Sequence, residues 1–132
     1  MSSQPLPLFI AEISANHLGN YERAKKLVNA AIESGATAVK FQTYTAKTMT
    51  LDIEVDAFKI STAHPMWGGR KLFELYDEAH TPWEWHAPIM QRAKEKGLLC
   101  FSSPFDETAV DLLEAASFEL EVKHLANSAA TL

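Results

Sequence analysis

The feature that most constrains this fold is an alternation of apolar, strand-like segments with amphipathic, helix-like ones. Residues 8–14 (LFIAEIS) are nearly all apolar or β-favouring, as in a strand covered on both faces of a parallel sheet. Asn20 offers an N-cap to a following helix of regular apolar spacing, and Gly35 supplies its C-terminal stop. Residues 37–44 (TAVKFQTY) are typical of a second strand. This run predicts a β-α-β unit, in which a helix joins two parallel strands.

Two helices are predicted in the middle of the chain. Residues 70–80 form a short amphipathic helix, and Thr81 with Pro82 form an N-cap and first-turn pair that opens the next one. Pro88 lies inside that second helix and is expected to kink it. Ahead of both, residues 45–69 are far longer than an ordinary strand-to-helix connection, which predicts a functional or mobile loop.

The strand-then-helix period then repeats. Residues 98–103 (LLCFSS) predict a third strand, Asp106 predicts the N-cap of the helix after it, and residues 117–122 alternate like a fourth strand. Three to four βα units in one direction predict an α/β fold with parallel strands. A complete (β/α)₈ barrel takes about 250 residues, so a chain of 132 residues can hold only part of one.

The charge balance and the cysteine content limit the kinds of partner that the protein can bind and the compartment in which it is expected. Twelve Lys and Arg against seventeen Asp and Glu give a net charge of −5, without a basic run, so no nucleic-acid partner is expected. Cys100 is the only cysteine, which excludes an intrachain disulfide and favours a reducing compartment; we expect a buried, inert thiol. A basic leader is missing before Leu8, and Glu12 breaks the apolar segment that follows it. A cytoplasmic protein without membrane spans is predicted.

Ligands of parallel α/β folds gather where the strands end at their carboxyl side. Glu12 and Lys40 each lie within an apolar strand, where an unpaired charge is costly. Two interpretations stay open, a structural ion pair between them and a catalytic role. The polar residues of these strand ends are Glu12, Ser14, Asn16 and His17, then Lys40, Gln42, Thr43 and Tyr44, then Ser102, Ser103 and Asp106.

Other candidate residues have simpler interpretations. His80 and His86 are six residues apart, which is not the spacing that places two imidazoles on one helix face for a metal, so capping or surface roles are expected. Trp67 lies in the long loop and is the tryptophan best placed to stack on a sugar, whereas packing roles suit the others. No glycine-rich phosphate cradle occurs in the sequence.

Four long segments of the sequence are informative when they are read together: IAEISANHLGN, VKFQTYTAKTMTLD, LFELYDEAHTPWEWH and FSSPFDETAVDLLE. They are similar to the N-terminal half of the sialic acid synthase family, and most of all to its pseudaminic acid branch. The resemblance covers residues 8–114, and residues 115–132 depart from the family pattern. It implies that the whole chain, residues 1–132, is a partial synthase barrel domain.

The resemblance implies a TIM (β/α)₈ barrel, of which this chain is the N-terminal part, and a homodimer in which a small antifreeze-like domain reaches over the partner's active site. It also implies condensation of phosphoenolpyruvate with an N-acetylated amino sugar, releasing phosphate. In the pseudaminic branch the sugar is a 2,4-diacetamido-2,4,6-trideoxy-altrose. A divalent metal, Mn²⁺ or Mg²⁺, is implied, with ligands beyond this chain.

Matching motifs imply a role for individual residues. Glu12 would be the catalytic carboxylate beside the reacting carbons, while Lys40 and Ser103 would bind phosphoenolpyruvate. The loop around Trp67 would help to select the sugar. Lys123 falls near a phosphoenolpyruvate-binding lysine of the family, but its flanking residues differ, so no role is assigned to it or to Ser128. The other substrate-binding residues would be Gln42, Phe105, Asn16 and His17.

Three alternatives accompany this hypothesis. The chain could have N-acetylneuraminate synthase specificity, be a non-catalytic half-barrel that binds a ligand or dimerises, or be a lyase or aldolase that forms a Schiff base through Lys40. A partial barrel also leaves a strand edge and apolar helix faces uncovered. We therefore expect the chain to be inactive alone and to self-associate, aggregate or depend on a complementary fragment.

Overall fold

A computed structural model of the chain describes residues 6–116, which form one parallel sheet with helices packed on it. The strands lie in the order β1-β2-β3, so each strand neighbours the next one along the chain. Consecutive parallel strands separated by helices are the arrangement of the N-terminal part of a (β/α)₈ barrel, which confirms the predicted fold class. The strands are β1 (Ile10–Glu12), β2 (Ala38–Thr43) and β3 (Leu99–Pro104); the helices are α1 (Tyr21–Glu33), α2 (Ala46–Met49), α3 (Leu72–Ala79), α4 (His86–Glu95) and α5 (Glu107–Ala115).

The first β-α-β unit has the predicted signals at both ends of its helix. The Asn20 side chain accepts a hydrogen bond from the Arg23 N–H at 2.8 Å, and Gly35 adopts φ +81° just after α1. The first strand differs from the prediction, since it spans three residues and is not covered on both faces. Phe9 is 62% exposed and Ile10 is 47% exposed. The reason is that β1 is the edge strand of the sheet formed by residues 6–116, where it pairs with β2 alone.

The segment before α4 corrects the helix start predicted at Thr81 and Pro82. A 3₁₀ turn over Trp83–Trp85 follows Pro82, and α4 begins only at His86. The Thr81 side chain, predicted to cap, is buried and bonded to another part of the chain. Pro88 consequently falls in the first turn of α4, where backbone N–H groups have no helical partner. Pro88 therefore removes no hydrogen bond from the helix, and the reason for expecting a kink no longer applies.

The long loop of residues 45–69 is organised by backbone hydrogen bonds. It contains α2 and a 3₁₀ turn, and a bridge between Lys59 and Lys71 closes its base. The Ile60 N–H donates to the Arg70 carbonyl at 2.9 Å, and the Gly69 N–H donates to the Ile60 carbonyl at 3.0 Å. These bonds give the loop a defined path between β2 and α3.

The core lies between one face of the sheet and the helices. Val39 and Phe41 of β2 are buried there against Ile89 and Met90 of α4. Because side chains alternate along a strand, the residues between them belong to the opposite face. Cys100 is buried in this core, as predicted. Further core members are Ile13, Ala24, Val28, Ala31, Ala93, Leu98 and Leu113.

Residues 117–122, predicted as a fourth strand, lie outside the described residues, and so do Lys123 and Ser128. Within residues 6–116, every helix is too short or too polar to cross a membrane.

Candidate active site

Strand register brings four of the sequence-predicted site residues to one face of the sheet. Glu12 pairs with Lys40 across β1 and β2, and Gln42 pairs with Ser103 across β2 and β3. Registered residues of parallel strands point to the same side, and these four alternate with the buried core residues. The face they share is the one opposite the core. This arrangement forms two adjacent polar rows towards the carboxyl end of the sheet.

Glu12 and Lys40 form an ion pair in the first of these rows. The Lys40 Nζ lies 2.5 Å from the Glu12 Oε2. The Lys40 side chain is 32% exposed and the Glu12 side chain 41%, so neither charge is embedded as the apolar strands suggested. A partly solvated ion pair is worth about 0–1 kcal/mol. An anionic ligand can therefore compete for the ammonium at little cost.

Gln42 is held in the second row by a hydroxyl from the loop after β1. The Ser14 Oγ donates to the Gln42 Oε1 at 3.0 Å. Ser14 has φ +46°, a left-handed conformation that is unusual for a residue with a side chain. Asn16 secures the same turn, because its side-chain amide and its backbone N–H both donate to the Ile13 carbonyl at 3.0 Å. Asn16 thus fixes the loop beside the site.

His17 lies behind this loop and is fully buried. The Gly19 N–H donates to its Nδ1 at 3.1 Å, so the ring proton must be on Nε2, which donates to the Thr81 Oγ1 at 3.1 Å. Burial, then the nearby His80 and His86, lower the pKa of His17, which favours the neutral ring. Both ring nitrogens of His17 are used within the chain, where they tie the loop to the segment before α4.

Phe105 and Asp106 follow β3 at the carboxyl end of the sheet. The Phe105 ring is 44% exposed and meets the Tyr44 ring edge-on at 5.6 Å. Asp106 caps α5, as predicted, by accepting from the Ala109 N–H at 3.1 Å. Its bond from the Thr108 hydroxyl is the main cause that lowers the pKa of Asp106. The cap thus sets the turn that presents the Phe105 ring.

A buried polar network on the core side of the sheet was not predicted from the sequence. Thr43 is hydrogen-bonded to His86 Nε2 at 2.7 Å and to Ser102 Oγ at 2.6 Å. His86 is 3% exposed, so the prediction of a surface role is wrong for it. The predicted capping role agrees with the structure, since His86 ends the 3₁₀ turn and its Nδ1 lies 3.2 Å from the Trp83 carbonyl, and His80 likewise ends α3. A sequence signal was present, since His86 lies three, four and seven residues before the buried Ile89, Met90 and Ala93.

The long loop and the histidines provide fewer groups for binding a sugar or a metal than the strand ends do. The Arg70 guanidinium lies over the Trp67 ring, 4.8 Å from its centre, and so occupies one face of the ring expected to stack on a sugar. Among residues 6–116, no group of three or more His, Cys, Asp or Glu side chains comes together as a metal site.

Comparisons with known proteins agree on one family. Residues 27–127, more than half of the chain, match the model of the NeuB family. The chain is 48% identical over 105 residues to pseudaminic acid synthase of Campylobacter jejuni serotype O:2, covering 80% of this chain and 30% of that protein. It is 43% identical over 122 residues to pseudaminic acid synthase of Helicobacter pylori, covering 86% of this chain and 35% of that protein.

A solved structure shares the fold. The crystal structure of N-acetylneuraminic acid (sialic acid) synthetase from Leptospira borgpetersenii, in complex with citrate, aligns with a TM-score of 0.66 at 23% identity. The alignment covers 84% of this chain and 34% of that one. The chain therefore spans about a third of the length of the proteins it matches. With the family model matched over most of its length, the chain belongs to the NeuB family.

Proposed function

We propose that this chain is the N-terminal part of a nonulosonic acid synthase of the pseudaminic acid type. The reaction joins phosphoenolpyruvate to an N-acetylated amino sugar and releases phosphate. The observation that carries the proposal is the Glu12–Lys40 ion pair beside Gln42 and Ser103, on the sheet face that the helices leave open. The relatives of 43–48% identity are named pseudaminic acid synthases, which supports this sugar class over N-acetylneuraminate specificity.

The residues of the open face suit an anionic substrate. Lys40 supplies an ammonium that can exchange Glu12 for a carboxylate or phosphate of phosphoenolpyruvate, and Ser103 adds a hydroxyl donor in the neighbouring row. Gln42, held by Ser14, offers a side-chain amide to either substrate. Asn16 borders this space through the loop it fixes. His17 lies behind that loop, and the hydrogen bonds of its two ring nitrogens hold the loop in place beside the substrates.

Glu12 is proposed as the catalytic carboxylate. The enol carbon of phosphoenolpyruvate forms a bond to the aldehyde carbon of the open-chain sugar, while the aldehyde oxygen takes the electron pair of the broken π bond and a proton from water to become a hydroxyl. This leaves a cationic carbon bearing the phosphate ester oxygen. Water adds to that carbon and its proton passes to a carboxylate; the new hydroxyl then becomes the ketone, giving its proton to the leaving phosphate, as the carbon–oxygen bond to phosphate breaks. Glu12, freed from Lys40 when substrate binds, can stabilise the cation and accept the proton of the added water.

A divalent metal, Mn²⁺ or Mg²⁺, remains part of the proposal by family resemblance, where it would polarise the sugar aldehyde. The described residues provide no site for it, so the steps given to Glu12, Lys40 and Ser103 do not pass through the metal. Phe105, with its exposed ring at the strand ends, is proposed to line the sugar pocket, and the loop around Trp67 to select the sugar. A homodimer and a cytoplasmic location complete the proposal.

The test uses a chimera in which residues 8–114 of this chain replace the matching stretch of the Campylobacter jejuni pseudaminic acid synthase. Phosphate release from phosphoenolpyruvate is measured with the amino sugar and Mn²⁺. We expect turnover, and we expect Glu12→Gln and Lys40→Ala to lower kcat/KM by about a hundredfold or more. Lys25→Ala is the matched control, since Lys25 is ion-paired with Glu22 on α1 and belongs to none of the proposed site elements. Full activity of both site variants would contradict the assignment.

The Schiff-base alternative is tested on the unmodified chain. An ammonium paired with a carboxylate has no lone pair with which to attack a carbonyl, so Lys40 is not expected to form an adduct. The chain is treated with pyruvate and borohydride and its mass is measured. A trapped adduct that disappears in Lys40→Ala would replace the synthase assignment with a lyase or aldolase.

A further inference from the structure

The buried network behind the sheet has a defined direction of hydrogen bonding. The His86 Nδ1 lies 3.2 Å from the Trp83 carbonyl, so we assign the ring proton to this nitrogen, which then donates to that carbonyl. The Nε2 of His86 is then an acceptor, and the Thr43 hydroxyl donates to it at 2.7 Å. The Thr43 oxygen in turn accepts from the Ser102 hydroxyl at 2.6 Å. The hydrogen bonds that join His86, Thr43 and Ser102 therefore each have an assigned donor and acceptor.

The network contacts the candidate site through the backbone. Thr43 follows Gln42 in β2, and Ser102 precedes Ser103 in β3. Gln42 and Ser103 are registered partners on the open face, while Thr43 and Ser102 are buried on the core face. The hydroxyl pair therefore joins the two strands at the level where the two candidate ligand-binding residues stand side by side. His86 anchors this junction to the first turn of α4.

We propose that His86 is a positioning residue, whose neutral Nε2 orients the Thr43 and Ser102 hydroxyls and so holds Gln42 and Ser103 in register on the open face. The inference depends on the proposed function only for what Gln42 and Ser103 bind. The register itself is a property of the chain and can be tested without activity.

The surroundings of His86 keep its ring neutral. Burial is the largest influence and lowers the pKa of His86, while the nearby backbone groups of Trp83, Pro82 and Gln42 and the charge of Glu84 act in the opposite direction. His17, from the loop after β1, is the other titratable group close to it. Protonation of Nε2 would turn the acceptor into a donor facing the donating Thr43 hydroxyl. The Thr43 and Ser102 hydroxyls would then have to reverse.

The first experiment is nitrogen NMR of the histidine rings, recorded in the solid state on the hydrated full chain so that self-association does not interfere. At neutral pH we expect His86 to be protonated on Nδ1 and His17 on Nε2. On acidification, the resonances of Gln42 and Ser103 should shift with the midpoint of His86 and not with that of His17. Protonation of His86 on Nε2 at neutral pH, or unshifted Gln42 and Ser103 signals, would overturn the proposal.

Variants separate positioning from general stability. His86→Gln keeps a neutral acceptor, so Gln42 and Ser103 should retain their neutral-pH signals and lose their response to acid. Thr43→Val removes the junction and should shift both signals at every pH.

Thr81→Val is the matched control, because it removes a buried hydroxyl–histidine bond that joins the loop of His17 rather than β2 and β3. Equal shifts in Thr81→Val and Thr43→Val would reduce the network to ordinary packing and overturn the inference. In the chimera, a normal KM for phosphoenolpyruvate in Thr43→Val would also count against it.

Discussion

At the scale of single residues, the two buried histidines have hydrogen-bond partners at both of their ring nitrogens. His17 and His86 use opposite ring nitrogens as donors, because His17 receives a backbone N–H on Nδ1 whereas His86 faces a carbonyl there. Glu12 and Lys40 differ from them, since their charges are paired yet open to solvent. The interior polar groups are therefore committed to the fold, and the exchangeable charges are on the open face.

The two buried histidines predict how stability changes with pH. Burial lowers the pKa of both His17 and His86 from the ordinary value of 6.5. The unfolded chain then binds more protons than the folded chain once the pH falls below that value, so the free energy of unfolding decreases with acidification and levels off below the folded-state pKa values. Urea unfolding at about pH 7.5 and about pH 5.5 measures this loss.

Replacing His17 isolates its share of the pH dependence. Asn in place of His17 retains an acceptor for the Gly19 N–H but loses the bond to Thr81, at an expected cost of about 1–3 kcal/mol at neutral pH. The difference in unfolding free energy between the two pH values should be smaller in His17→Asn than in the native chain. An unchanged difference would show that His17 does not contribute to the acid sensitivity.

At the scale of secondary-structure elements, two of the connecting loops have paths that are fixed by hydrogen bonds. The loop after β1 is held by Asn16 and His17, and the long loop is closed by the bridge of Lys59 with Lys71. Ion pairs of Lys71 with Asp52 and of Arg70 with Glu74 and Glu78 add to this closure. Because these pairs are exposed and screened by solvent, they contribute little to stability. Backbone geometry therefore sets the loop path more than charge does.

Gly68 is the residue on which the long loop depends. A Cβ at this position would lie 2.8 Å from the carbonyl oxygens of Thr62 and His64, and neither backbone atom can move without moving the loop. Gly68→Ala is expected to open the loop base, seen as faster hydrogen exchange at the Ile60 and Gly69 N–H groups.

The control for this variant is Gly97→Ala. Gly97 has φ +78° with open space around its Cα, so alanine there costs about 1 kcal/mol without touching the loop. Slower or unchanged exchange at the loop base in Gly68→Ala would contradict the packing argument. Loss of exchange protection across the whole chain in both variants would mean that the loop is not an independent unit.

At the scale of the whole molecule, the part of the chain that the structure describes places no strand on the outer side of β1. Phe9 and Ile10 expose apolar side chains there, and a groove between the strand and α1 is lined by Leu27, Ala30 and Ala31. In a closed barrel another βα unit would cover such an edge. An uncovered apolar strand edge favours association with another chain.

We therefore expect concentration-dependent self-association of the chain, measured by sedimentation velocity. Ile10→Lys places a charge on the open edge and should shift the population towards monomer. Leu51→Lys changes a side chain that is 60% exposed in the long loop and should have little effect. A compact native monomer at high concentration would contradict the prediction, and a stronger effect of Leu51→Lys would move the interface to the loop.

What could be predicted from the sequence alone follows from interactions between near neighbours along the chain. The strands, the caps at Asn20 and Asp106 and the stop at Gly35 depend on side-chain alternation and on hydrogen bonds a few residues apart. The polar residues at the strand ends, with Glu12, Lys40, Gln42 and Ser103 among them, were also predictable as a group, because parallel strands end on the same side; which of them face away from the core was not.

The tertiary structure alone decided how those residues are used. Strand register paired Glu12 with Lys40, and contacts across 43 to 64 positions of sequence buried His86 against Thr43 and His17 against Thr81. Exposure of β1 likewise depends on which strands stand beside it. Local patterns predict which way a side chain points along its own element, but burial and hydrogen-bond partners are set by elements distant in sequence, and only the folded chain brings these together.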